Sequence, residues 1–157
     1  MLELEIPGLE TLRLEHLVLD VNGTLALDGK LLEGVSQRLD VLKSSFQIHL
    51  LSADTHGGLA AIGQQLGVSA VRLQPGGSEA EQKAAYVRDL GADAVVAIGN
   101  GANDVGMLRE AKLAIAVLGP EGLAVGVLQH AGVLVASPND ALDLLVHPRR
   151  LLATLRR

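Results

Sequence analysis

The sequence contains no cysteine, no tryptophan and only two aromatic residues, Phe46 and Tyr86, in 157 positions. The lack of cysteine excludes disulfides, iron–sulfur clusters, thiolate zinc sites and a catalytic thiol. The lack of aromatics leaves no platform for stacking single-stranded bases. With 13 basic against 18 acidic side chains the net charge is −5, which disfavours a phosphate-backbone partner. No nucleic-acid partner is expected. Long unbroken apolar runs are missing as well. The most apolar stretch, residues 113–128, is interrupted by Gly119, Pro120 and Glu121 and cannot cross a bilayer as one helix. The acidic, alternating start Met1-Leu2-Glu3-Leu4-Glu5 is unlike a signal or transit peptide. A cytoplasmic protein with no membrane partner is expected.

Aliphatic residues are what the chain has in abundance. Apolar residues make up 48% of it, almost all Leu, Ala, Val and Ile, and that much aliphatic content with moderate charge belongs to a folded core. The length suits one domain over residues 1–157. Residues 148–157 carry Arg149, Arg150, Arg156 and Arg157 with no acid. Four arginines are too few for an anion-binding arm, so this segment reads as an amphipathic helix docked through Leu151, Leu152 and Leu155.

Short aliphatic runs alternate with segments of helical periodicity. The runs are His16–Val21, Phe46–Leu51, Ser69–Leu73, Ala94–Ile98, Leu113–Val117 and Val133–Ala136. Between them lie helical segments at Val35–Ser44, His56–Leu66, Glu79–Leu90, Asp104–Ala111, Glu121–Gln129 and Asn139–Leu145. Runs such as Leu17-Val18-Leu19 are apolar on both faces, as strands covered on both sides must be. The alternation predicts an α/β fold with a doubly wound parallel sheet in three layers. Leu2–Ile6 and Thr11–Glu15 alternate with period two and predict an edge ribbon. In such sheets ligands bind beyond the carboxyl ends of the strands. Polar and glycine residues follow the first, second and fourth runs, so they converge on one end of the sheet.

Four segments there could carry chemistry. Asp20-Val21-Asn22-Gly23-Thr24 sets a carboxylate at a strand tip, then a glycine where backbone can approach an anion, then a hydroxyl. The carboxylate could attack phosphorus if a cation offset the repulsion; the segment could equally be an Asx-type turn. Ser52, after Leu50-Leu51, could donate to a phosphoryl oxygen, while Thr55 reads as the N-cap of a helix starting near His56. Lys83 lies near the start of a helix capped by Ser78 with Glu81 at the capping-box position. There it opposes the helix dipole, so it is either a solvated lysine or one with an anionic partner. Gly99-Asn100-Gly101-Ala102-Asn103-Asp104 offers oxygen ligands suited to a hard cation such as Mg²⁺. It can also be a glycine-rich turn whose Asn103 or Asp104 caps the next helix. It is not a dinucleotide fingerprint, because Asp104 takes the third glycine position and the spacing is wrong. The histidines at 16, 49, 56, 130 and 147 show no metal-binding spacing.

Taken in order, these segments resemble the haloacid dehalogenase (HAD) superfamily, and within it the phosphorylation domain of P-type ATPases, over roughly residues 16–136. Asp20–Thr24 is similar to the DxxGT motif, Leu50-Leu51-Ser52-Ala53-Asp54 to the MLTGD segment of the ATPases, and Gly99–Asp104 to GDGxND. Lys83 matches the lysine motif. Leu25–Leu32, with its Asp28-Gly29 turn, is similar to the hairpin flap after the nucleophile. The resemblance implies a Mg²⁺-dependent phosphohydrolase or phosphotransferase working through an aspartyl-phosphate on Asp20. Gly23, Thr24, Ser52, Ala53 and Lys83 would bind the phosphoryl group. Asp20, Asn22, Asn100, Asn103 and Asp104 would hold the metal. The implied partner is a phosphorylated substrate of unknown identity.

Three departures qualify the resemblance. Asn22 stands where HAD phosphatases carry a proton-transferring Asp, a step worth about 10²–10⁴-fold in rate. Asn100 stands where GDGxND has a metal-binding Asp. Residues 21–51 leave room for a hairpin and one helix only, so neither a cap domain nor a nucleotide domain fits, and the chain resembles the cap-less "soluble P-type ATPase" group. Slow turnover is expected; the alternative is a catalytically weakened or inactive regulatory module on the same fold. An uncapped site leaves room for a homo-oligomer to supply a lid. Without an aromatic near the motifs, ATP is a poor first choice of substrate.

Overall fold

The structure is a computed structural model that describes residues 1–55 and 57–157. Strands β1 (Leu2–Leu4) and β2 (Leu12–Leu14) pair antiparallel as a ribbon of their own, apart from the main sheet. The chain then runs through β3 (His16–Asp20), the hairpin β4 (Ala26–Leu27) and β5 (Lys30–Leu31), α1 (Val35–Leu42), β6 (Gln47–Ser52) and α2 (Leu59–Leu66). Next come β7 (Ser69–Arg72), α3 (Glu79–Leu90), β8 (Val95–Gly99), α4 (Val105–Glu110) and β9 (Leu113–Val117). It ends with β10 (Val133–Val135), α5 (Pro138–Val146) and α6 (Pro148–Leu155).

Six strands form one sheet in the order β10-β9-β8-β3-β6-β7, every pair parallel. Alternate residues of each strand point to opposite faces. Leu17, Leu19, Leu50, Val96, Ile98 and Ile115 pack with Leu39 of α1, Ile62 of α2 and Leu142 of α5. Val18, Leu51, Val95, Ala97 and Ala116 pack on the other side with Val87 of α3 and Met107 and Leu108 of α4. The predicted three-layer α/β architecture follows directly from these two-sided apolar strands. Strand order reverses beside β3: the chain leaves it toward β6 and β7, then crosses back to β8 on its other flank. The crevice expected at such a switch point lies between the carboxyl ends of β3 and β8.

Between β3 and β6 the chain holds only the hairpin and α1, and the described residues form no cap. Asp28 (φ 50°) and Gly29 (φ 78°) turn the hairpin with both centres left-handed, as an Asp-Gly two-residue loop prefers. Leu151 of α6 is fully buried and Leu155 packs against the same core, as the amphipathic pattern predicts, while Leu152 is half-buried at a surface groove with Pro148 and Arg149. No helix among the described residues is long and apolar enough to cross a membrane.

Two predicted elements differ. The helix expected over Glu121–Gln129 is a turn followed by a 3-10 segment, Val125–Gln129. Gly122 N–H donates to the Gly119 carbonyl at 2.9 Å across Pro120 and Glu121, and Gly122 sits at φ 84°, which stops a helix there. The second helix begins at Leu59, not near residue 56; His56 lies outside the described residues. Its first N–H is bound by Asp54 Oδ1, donated from Leu59 at 2.8 Å, so Asp54 takes the place expected of Thr55.

Away from the site end, His16 Nδ1 lies 3.2 Å from His49 Nε2, and His49 Nδ1 lies 2.9 Å from the Tyr86 hydroxyl. Burial and then the neighbouring His16 lower the His49 pKa below its ordinary 6.5. A depressed folded-state pKa contributes stability that is full above the unfolded value and is lost as pH falls through the folded one. The loss of unfolding free energy between pH 7.5 and 5.5 should therefore be smaller in His16→Gln than in the wild type, measured by urea denaturation. Equal losses would remove the histidine pair as a source of pH dependence.

Candidate active site

Lys83 is the organising residue. Ser78 caps α3, its hydroxyl accepting the Glu81 N–H at 3.3 Å, which fixes the start of the helix. The reciprocal half of a capping box does not form, because the Glu81 carboxylate pairs with Arg88. From the second turn of α3, Lys83 enters the interior and has no solvent exposure. Its ammonium donates to Asp20 Oδ1 at 2.7 Å and to Asp104 Oδ1 at 2.6 Å. The reading of Lys83 as a solvated lysine is thus excluded. The approach of α4 to α3 that brings Asp104 within reach depends on Gly106, where a Cβ would stand 2.1 Å from the Ala80 carbonyl oxygen.

Asp20 ends β3, and its second oxygen, Oδ2, lies 3.0 Å from the Thr24 hydroxyl. Burial, followed by repulsion from Asp104, raises its pKa to about 6 against the attraction of Lys83. Burial opposes the charge on Lys83, but the two carboxylates outweigh it and hold the ammonium protonated above its usual range. Asp104 Oδ2 accepts the N–H groups of Asn100 and Gly101 at 3.0 and 2.9 Å, so both its oxygens have protein donors. Asp104 was expected to face a metal. It is fully buried and placed as the counter-ion of Lys83 and the clasp of the Gly99–Asp104 turn.

Asn100 is likewise turned to protein partners. Its amide oxygen lies 3.0 Å from the Thr24 hydroxyl and its nitrogen donates to the Gly122 carbonyl at 3.1 Å. Asn103 donates to Glu79 Oε2 at 2.7 Å. On the β6 side, the Ser52 hydroxyl accepts from Asn22 Nδ2 at 3.1 Å and from the Asp54 N–H at 2.9 Å. Two acceptor positions filled leave its own proton available to a ligand. Ala53 follows it off the strand, half-buried. Gly23 (φ 78°) is buried, and a Cβ there would meet Glu121 Oε2 at 2.1 Å.

A cleft of about 630 Å³ adjoins this cluster, with Asn22, Asn100, Gly101, Asn103 and Glu121 in its wall. Asp20, Thr24, Lys83, Asn100 and Asp104 thus come together in one bonded group, with Asn22 and Ser52 beside it. Glu121 was not a sequence candidate. Its signal was available, since it sits in a Gly-Pro-Glu-Gly turn just past the carboxyl end of β9, where polar residues mark the other site loops. The apolar residues around it read instead as a helix. Among the described residues, the side chains in this wall offer carboxamide and carboxylate oxygens, a set that fits a hard cation such as Mg²⁺ rather than a thiolate- or imidazole-seeking metal.

The sequence model of the haloacid dehalogenase-like hydrolase family matches residues 1–112. An uncharacterized protein of Methanocaldococcus jannaschii is 45% identical over 62 residues, which cover 40% of this chain and 67% of that protein. The cobalt-bound deoxy-D-mannose-octulosonate 8-phosphate phosphatase of Haemophilus influenzae is similar in structure, with TM-score 0.71 and 14% identity over 88% of this chain and 90% of that one. The 3-deoxy-D-manno-octulosonate 8-phosphate phosphatase of Moraxella catarrhalis, in complex with magnesium, phosphate and KDO, has TM-score 0.67 and 16% identity, covering 91% of this chain and 94% of that one. At these identities the two structures show a shared fold.

The buried charges give a stability test. Lys83→Met leaves two carboxylates facing each other without a counter-ion and should cost about 3–5 kcal/mol of unfolding free energy. Asp20→Asn removes the carboxylate whose raised pKa marks it as disfavoured in its ionised form, and should be neutral or stabilising at pH 7.5 in EDTA. Urea denaturation of both variants checks this; an Asp20→Asn protein as unstable as Lys83→Met would contradict it.

Proposed function

Because the chain belongs to the haloacid dehalogenase-like hydrolase family, we propose that it is a phosphohydrolase or phosphotransferase working through an aspartyl-phosphate on Asp20. The observation that carries this reading is the fully buried Lys83 bridging Asp20 and Asp104. It holds one carboxylate at a strand tip, beside an available hydroxyl and an open cleft. In the first step a carboxylate oxygen of Asp20 attacks phosphorus and the bond to the leaving oxygen breaks. In the second, water attacks phosphorus, inorganic phosphate leaves and the carboxylate is restored.

Ser52 supplies a hydroxyl proton to a phosphoryl oxygen, and Gly23, Thr24 and Ala53 form the loop backbone around it. Lys83 fixes the Asp20 carboxylate and offsets its charge. Asp20, the Asn22 carbonyl and the neighbouring carboxamides would hold magnesium, which would offset the repulsion between the two anions. Asn22 cannot give or take a proton, so the leaving oxygen departs without a protein acid and the water attacks without a protein base. Turnover is slow on this account. The motifs and the missing cap support a finer placement beside the phosphorylation domain of P-type ATPases. A second reading, a regulatory module that binds a phospho-ligand without turning it over, rests on Asn22 and on Asn100 being committed to Gly122.

The test is hydrolysis of a generic aryl phosphate with Mg²⁺. Asp20→Asn should abolish turnover, and Asn22→Asp should raise it by about tenfold or more, a fraction of the worth of a full general acid. Fluoroberyllate with Mg²⁺ should raise the melting temperature of the wild type and not of Asp20→Asn. Turnover that survives Asp20→Asn overturns the nucleophile. Absence of both turnover and thermal shift in the wild type leaves the binding-module reading.

A further inference from the structure

A carboxylate is missing from position 100, and another stands close by where the family motifs call for none. Glu121 sits at the tip of the turn between β9 and the 3-10 segment, with Pro120 before it and the Gly122 N–H closing back on Gly119 at 2.9 Å. Three contacts pin this turn to the site. Asn100 Nδ2 donates to the Gly122 carbonyl at 3.1 Å, and the Ala124 N–H donates to the Asn100 carbonyl at 2.9 Å. Gly119 is so close to the Gly23 loop that a Cβ on it would lie 3.1 Å from the Gly23 carbonyl oxygen. As a result Glu121 Oε2 and Asn100 Nδ2 crowd one point, the Cβ position of Gly23, at 2.1 and 3.5 Å.

We infer that Glu121 is the carboxylate that holds the divalent cation in place of the one absent from position 100; this rests on the phosphoryl-transfer reading above. Among the described residues lining the cleft, Glu121 carries the one ionisable side chain, and no described residue gives it a hydrogen bond or an ion pair. It reaches the site from the β9 side, next to Gly23 and Asn100. Asn22 turns its side chain the other way, to Ser52 on β6, so the two do not compete for one role. The amide at 100 and the acid at 121 form a matched pair. An aspartate at 100 would set a second acceptor against the Gly122 carbonyl, whereas the asparagine nitrogen tethers the turn that presents Glu121. Gly23 completes the pair, because any side chain there would displace the carboxylate. Negative charge beside Asp20 is thus moved from a strand tip to a turn.

Isothermal titration with MgCl₂ tests this on the wild type and on Glu121→Gln, Glu79→Gln and Asp20→Asn. Glu121 is exposed, so Glu121→Gln should melt like the wild type in EDTA, while its Mg²⁺ dissociation constant should rise by about tenfold or more, the scale on which groups supporting a metal site act. Glu79→Gln removes an acid bonded to Asn103 and should bind nearly as the wild type does. Adding Asn100→Asp to Glu121→Gln should recover part of the affinity. Wild-type affinity in Glu121→Gln overturns the inference whatever its turnover, and a turnover loss without an affinity loss reassigns Glu121 to proton transfer. Equal weakening in Glu79→Gln also overturns it, reducing the effect to general charge. Binding lost in Asp20→Asn but kept in Glu121→Gln overturns the inference and leaves the phosphoryl-transfer reading intact. No saturable binding by the wild type overturns both.

Discussion

One ammonium group, that of Lys83, holds together segments that the chain keeps far apart. Its partners Asp20 and Asp104 end or follow different strands, and none of the three side chains is more than slightly exposed. An unpaired lysine at that depth would lose its proton or unfold its surroundings. Two carboxylates within hydrogen-bonding distance reverse that outcome, but they leave the group with one excess negative charge in a dry interior. Burial first, and then repulsion from Asp104, raises the Asp20 pKa despite the lysine. The fold therefore carries at the tip of β3 a carboxylate whose ionised form burial disfavours.

The sheet supplies what the lysine cannot. Because the connection reverses direction between β3 and β8, the loops after these two strands diverge and leave a crevice with Asp20 on one side and the Gly99–Asp104 turn on the other. Parallel strands buried on both faces fix the heights of the two tips through the ladder, Leu19 opposite Ile98 and Asp20 opposite Leu51. The spacing of the charged group is thus set by backbone hydrogen bonds and core packing, neither of which depends on what binds there. Ser52 belongs to the same frame at the end of β6, and Asp54, with φ 57°, turns the chain there so that its own N–H reaches back to the Ser52 hydroxyl.

The strands, the layers and the direction in which the site faces were legible in the sequence because each depends on local pattern. Runs such as Val95–Ile98 have only one environment available to them, and the Asp28-Gly29 turn has one favoured geometry. Asp20 and Ser52 were legible as candidates because a polar residue after such a run has few other places to be, and Lys83 because a lysine near a helix start opposes the dipole. Partnership was harder to read. Lys83 and Asp104 read as separate elements, a lysine of uncertain solvation and a metal ligand, because nothing local says that α3 and α4 meet at Gly106. The same limit hid Glu121, whose neighbours Leu123, Ala124 and Val125 gave a helical period that Gly122, at φ 84°, does not permit. Thr55 lost its expected capping role to its neighbour Asp54 for a similarly local reason, the left-handed backbone at 54.

The two asparagines act differently once their partners are known. Asn22 keeps a donor on the Ser52 hydroxyl, which leaves the serine proton free, and its amide can neither give nor take a proton. Asn100 carries no charge but supplies a donor that no aspartate could, and with it a fixed turn beside the Asp20–Thr24 loop. On the phosphoryl-transfer reading these changes act on separate steps. The first slows departure of the leaving group and attack by water; the second redistributes the charge that balances the incoming phosphate. A site altered in both ways would retain a means of accepting a phosphoryl group while being slow to release it. That combination suits transfer to an acceptor, or a phosphorylated form that persists, better than rapid hydrolysis, and the open cleft leaves the acceptor free access.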